Sequence, residues 1–87
     1  MLSLFFLQRP GLGNFQEILW MLVAADTESN ARNTAAEKCG REGPEAWRDP
    51  KTSCEVFGTA SPERFKKPCI ILQYRFSSRE ALMLAGA

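Results

Sequence analysis

Large apolar side chains crowd the two ends of the chain and leave its middle polar. Residues 2–7 (Leu-Ser-Leu-Phe-Phe-Leu) form a short apolar run, closed by Gln8-Arg9 and by the turn signal Pro10-Gly11-Leu12-Gly13. Asn14 then has the chemistry of an N-cap with Glu17 three residues on, and Phe15, Ile18, Leu19, Leu22 and Ala25 recur at helical spacing. The pattern predicts a helix from residue 15. The Glu28/Arg32 i,i+4 pair and Ala31, Ala35 and Ala36 extend it, so the expectation is one N-terminal helix over about 15–39. Trp20, Met21, Val23 and Ala24 fall on the opposite side, which makes this helix apolar nearly all round after its first turn and in need of cover.

Residues 40–68 hold Gly40, Gly43, Pro44, Pro50, Gly58, Pro62 and Pro68 among charged and hydroxyl side chains, and read as an irregular, flexible polar loop. Trp47 and Phe57 stand out in it as large apolar groups that could pin the loop to a core or anchor a partner. Residues 69–76 are rich in β-branched and aromatic types, with Ile70, Leu72, Tyr74 and Phe76 on one face of a short strand. Glu55-Val56-Phe57 and residues 2–7 are the partners within the chain that this strand could pair with. Ser77 with Glu80 makes a capping box for a final helix over 78–85. The fold class predicted is therefore mainly α, small and partly disordered, in a single domain with an apolar head (1–39), a polar loop (40–68) and an apolar tail (69–87). A small α+β fold is the alternative.

Charge follows the same division. Residues 1–25 carry only Arg9 and Glu17, whereas residues 26–68 carry eight basic and eight acidic side chains, and the whole chain of 87 residues has a net charge of +1. A balanced middle creates no long-range field, and the one basic run (Arg64, Lys66, Lys67) is too small to neutralise the several phosphates that nucleic-acid binding requires. Nucleic acid is not an expected partner.

Candidate chemistry is sparse. The chain has no histidine, which removes Ser–His and Cys–His nucleophile pairs and every His-bearing zinc site. Cys39, Cys54 and Cys69 lie fifteen residues apart without the close pairs or the fourth ligand of a zinc site, and read as free thiols of a reducing compartment. Gly11-Leu12-Gly13 lacks the third glycine of a dinucleotide fingerprint. No catalytic residue, metal or cofactor is expected, and the chain reads as a non-enzymatic protein of the cytoplasm. Its candidate action is docking of a protein partner on the 15–25 helix face, through Phe15, Ile18, Leu19 and Leu22, with Trp47 as a further anchor.

The alternative is a secreted or membrane-associated peptide directed by residues 1–25, since Val23-Ala24-Ala25 resembles a signal-peptidase site behind an apolar run. Pro10, the two glycines, Gln16 and Glu17 interrupt that run and argue against both a leader and a spanning helix. Ser61-Pro62 has the form accepted by proline-directed kinases, which makes Ser61 a candidate phosphosite beside Arg64, Lys66 and Lys67.

Overall fold

Among the described residues, four strands and two helices follow one another in the order β1 (Ser3–Gln8), β2 (Ile18–Ala25), α1 (Glu28–Glu37), α2 (Glu45–Arg48), β3 (Ser53–Thr59) and β4 (Cys69–Arg75). The computed structural model describes residues 2–11 and 17–75. The helix predicted at 78–85 and the candidate docking residue Phe15 lie outside them. The strands form one antiparallel sheet in the spatial order β3-β1-β2-β4, with the helices packed on one of its faces.

This corrects the mainly α expectation: the molecule is a small sheet-dominated α+β fold, and it is not mainly helical. The first half of the predicted helix, Ile18–Ala25, is an inner strand, and only Glu28–Glu37 of the 15–39 span is helical. The reason lies in the run Ile-Leu-Trp-Met-Leu-Val-Ala-Ala, which is apolar at every position and so satisfies a period of 3.6 and a period of 2 alike. An inner strand with apolar groups on both faces is as good a home for it as a buried helix, and pairing on both edges supplies partners for its backbone. The structure alternates it: Met21, Val23 and Ala25 face the helices, while Trp20 and Leu22 face the other way. Asp26-Thr27 ends the strand. Thr27 is extended (φ −136°, ψ 163°) and its hydroxyl accepts from Asn30 N at 3.1 Å, the N-cap from which α1 starts.

Residues 40–68 are likewise corrected from irregular loop, since α2 and β3 both lie within them. Two charged side chains organise the first part. Glu42 accepts from Ile18 N (2.9 Å), Gly40 N (2.9 Å) and Trp47 Nε1 (2.6 Å), tying the turn after α1 to the start of β2 and to the indole of α2. Arg32, on α1, donates to the carbonyls of Trp47 (3.1 Å), Asp49 (3.0 Å) and Thr52 (2.8 Å) and pairs with Glu28 at 3.0 Å. A planar guanidinium with a fixed fork of donors can gather several carbonyls at the end of a short helix, which a lysine cannot. Gly43 sits at φ +87°, in the left-handed region that only glycine enters without strain.

The core lies between sheet and helices. Phe5 and Leu7 of β1, Met21, Val23 and Ala25 of β2, and Trp47 of α2 enclose Ala31, Ala35 and Ala36 of α1. Alanine on the inner face lets α1 sit close to the sheet, so the large side chains come from the strands and from Trp47. β4 occupies the position predicted for a strand, but its partner is β2, and Glu55-Val56-Phe57 pairs with β1 instead.

Candidate functional site

The face of the sheet turned away from the helices carries Leu4 and Phe6 from β1, Trp20 and Leu22 from β2, Phe57 from β3, and Leu72 and Tyr74 from β4. Their positions follow from strand alternation and the register: Phe6 stands opposite Leu22, Leu22 opposite Leu72, and Trp20 opposite Tyr74. The pairing of β1 with β3 shifts between Leu4 and Phe5, where Gly58 faces Leu4 and Val56 faces Phe5, so Phe57 is the extra residue of a bulge. The bulge aims its ring at Phe6.

The four aromatic side chains thereby form one continuous ladder across all four strands. Phe57 stacks on Phe6 at 5.3 Å with 17° between planes, Phe6 meets Trp20 at 5.6 Å and 42°, and Trp20 stacks on Tyr74 at 6.1 Å and 13°. Near-parallel rings whose centroids are as close as those of Phe57 and Phe6 lie stacked, an arrangement that contributes beyond the area the rings bury. Phe6, Trp20 and Tyr74 are half-buried in this ladder, and Phe57 at its end is exposed. Phe57 is 64% exposed and Leu72 56%, values typical of surface lysines and not of large apolar groups. Four strands about 4.8 Å apart and about 23 Å long give this face a footprint of roughly 450 Å², the size at which apolar patches mark a contact surface.

The predicted site residues fall in different places. Ile18 and Trp47 are wholly buried and present no surface. Leu22 stands on the open face, and Leu19 is half-buried beside it at an irregularity in the pairing of β2 with β4. Ser61 is exposed at the head of a turn, its carbonyl accepting from the amides of Arg64 (3.1 Å) and Phe65 (2.9 Å). Sequence reasoning passed over Phe6, Trp20, Phe57 and Tyr74 as a set. Their signal was the i,i+2 spacing of Leu4/Phe6, Trp20/Leu22 and Leu72/Tyr74, which only a sheet turns into one surface.

The rest of the molecule offers less. A groove of about 950 Å³ runs between α1 and β4, lined by Asn33, Thr34 and Glu37 on one side and by Cys69, Ile70 and Ile71 on the other. The three cysteines are half-buried free thiols, and burial, reinforced by the charge of Glu28 and opposed by Arg32, pushes the Cys54 thiol up from its ordinary value. Among the described residues no group of three or more Cys, Asp and Glu side chains converges as metal ligands would, and no helix is long and apolar enough to cross a membrane. Comparison of the chain with protein-family models, with curated proteins and with solved structures found no match.

Proposed function

We propose that this protein is a non-catalytic binding module that recognises another protein through the open face of its sheet. The observation that carries the reading is the ladder Phe57–Phe6–Trp20–Tyr74 spanning all four strands, with Phe57 and the neighbouring Leu72 exposed. A monomer gains nothing by holding Phe57 and Leu72 in water, and each large apolar side chain moved out of water contributes about 1.5–3 kcal/mol. Leu4, Leu22 and Leu72 beside the rings suit the aliphatic and aromatic side chains of a protein, and the chain offers no large basic surface that would neutralise several phosphates.

The whole chain is needed for this surface. β1 and β2 are the two inner strands, so cleavage behind Ala25 would remove the middle of the sheet and half of the ladder. The test is a photo-crosslinking amino acid placed at Phe57 or Leu72 of the full chain in its native cells, with Lys51 and Glu63 as exposed control positions off the face. The expected result is discrete protein adducts from positions 57 and 72 and none from 51 and 63. Adducts from all four positions alike, or from none, overturn the reading.

A further inference from the structure

Residues 61–68 break the charge balance of the middle segment. Three basic side chains (Arg64, Lys66, Lys67) stand there against Glu63 alone, whereas residues 26–60 carry seven acidic side chains against five basic ones. Arg64, Lys66 and Lys67 are all exposed, and among the described residues none of them enters an ion pair or a side-chain hydrogen bond. Ser61 stands at the head of this cluster. Of the ten serine and threonine residues in the chain it alone precedes a proline. The hydroxyls of Thr27, Thr34, Thr52 and Ser53 are each tied into a hydrogen bond that holds the fold, whereas that of the exposed Ser61 makes none among the described residues.

We propose that Ser61 is a phosphoryl acceptor for a proline-directed protein kinase and that Arg64 then holds the phosphate. Pro62 is the residue such a kinase reads beside the acceptor, and Arg64, three positions on, is the cation that one class of these kinases reads as well. Access agrees. Ala60 is buried and its amide donates to the Leu2 carbonyl at 2.8 Å, so the acceptor comes where the sheet releases the chain. Beyond that point a local turn holds it, the Ser61 carbonyl accepting from the amides of Arg64 (3.1 Å) and Phe65 (2.9 Å). An exposed turn of two hydrogen bonds opens at small cost, which lets residues 61–64 extend across a kinase cleft. In the transfer, Ser61 Oγ forms a bond to the γ-phosphorus of ATP while the bond from that phosphorus to its bridging oxygen breaks; ADP leaves, and the hydroxyl proton passes to the kinase's catalytic carboxylate. When the turn re-forms, the Cα atoms of residues 61 and 64 lie within about 7 Å, and the added charge of about −1.5 to −2 meets a planar fork of donors with Lys66 and Lys67 behind it.

The test is treatment of the purified full chain with ATP and a recombinant proline-directed kinase that prefers a basic residue at the third position, read by intact mass and phosphopeptide mapping. One phosphoryl group should enter, at Ser61, and Ser61→Ala should take none. Arg64→Ala should lower kcat/KM for the transfer about tenfold, the effect of one lost charge-assisted hydrogen bond. Both side chains are exposed, so these variants keep the fold. Phosphorus NMR of the product reads the second step. The second ionisation of the phosphate should fall below its ordinary value of about 6, because neighbouring cations favour the dianion, and should return toward it in phosphorylated Arg64→Gln. A chain that stays unmodified, or that is modified elsewhere with Ser61 untouched, overturns the acceptor site. A transfer rate that ignores Arg64→Ala, or an ionisation midpoint identical in the two phosphorylated chains, overturns the role given to Arg64.

Discussion

Replacing Glu42 by alanine should unfold the molecule at a temperature lower by about 15 °C. Its two oxygens accept three hydrogen bonds, from Ile18 N, Gly40 N and the indole of Trp47, and they join three separate segments of the chain. A hydrogen bond to a charged acceptor contributes about 1.5–3 kcal/mol, so simple addition would give more than 5 kcal/mol. That sum is too large, because the glutamate is only half-buried and water can reach the amides of residues 18 and 40 once the side chain is gone. The indole N–H is different. Trp47 is wholly buried, and an unsatisfied buried donor costs about 1–3 kcal/mol. Together these give about 3 kcal/mol, and for a domain of this size each kcal/mol moves the midpoint by about 4–8 °C. Thermal melts followed by far-UV circular dichroism read the shift directly. Glu42→Gln, which keeps the shape but turns an amide donor toward at least one of the three donors, should lose about half as much. A shift below about 3 °C for Glu42→Ala would show that the carboxylate is simply solvated, and the account of how residues 40–52 are held would fail.

Three further outcomes follow from the same geometry. Arg32→Lys keeps the charge but cannot serve the carbonyls of Trp47, Asp49 and Thr52 together, and should cost about 2–3 kcal/mol by urea denaturation; a neutral result would refute the clamp. Asn30 Nδ2 donates to Asp26 Oδ1 at 2.6 Å, and this bond, with backbone amides, holds the Asp26 carboxyl below its ordinary 3.8. The contribution to stability is therefore present above the ordinary value and lost as pH falls through the depressed one, and an NMR titration of Asp26 should show its midpoint rising in Asn30→Ala. The raised pKa of Cys54 means that the unfolded chain releases this proton first, so its contribution destabilises the fold as pH climbs past the ordinary thiol value of 9.0. Iodoacetamide near pH 8 should accordingly modify Cys54 more slowly in the native protein than in urea, and equal rates would contradict it.

Some of this architecture was legible in the residues. Strand β4 announces itself through Ile70, Leu72 and Tyr74, the helical content of 28–37 through Glu28/Arg32 and the alanines, and the role of Trp47 as an anchor of the middle segment through its size alone. What misled was residues 15–25. A continuous apolar run carries no period, and the decision between helix and strand passed to long-range pairing with β1 and β4, which local spacing does not encode. Once that segment is a strand, Leu22 leaves a helix face and joins Phe6 and Leu72 in one row across the sheet. The middle segment was misjudged for a related reason. Glu42 and Arg32 look like solvated charges in sequence, and only the fold shows that each gathers three backbone or indole groups. The aromatic ladder was hidden because its four members are separated by up to thirty-seven residues between neighbours in chain order, and a bulge in β3 is needed to bring in Phe57.

The central claim is that Ile18–Ala25 is an inner strand with one face in the core and with Trp20 and Leu22 on the aromatic face. Nuclear Overhauser spectroscopy on the isotopically labelled full chain tests it most directly. The account predicts cross-strand contacts between the backbone protons of Phe6 and Leu22 and of Leu22 and Leu72, together with ring contacts from Phe57 to Phe6 and from Trp20 to Tyr74. Sequential amide–amide contacts and helical Cα shifts running unbroken from residue 18 to residue 37 would contradict it.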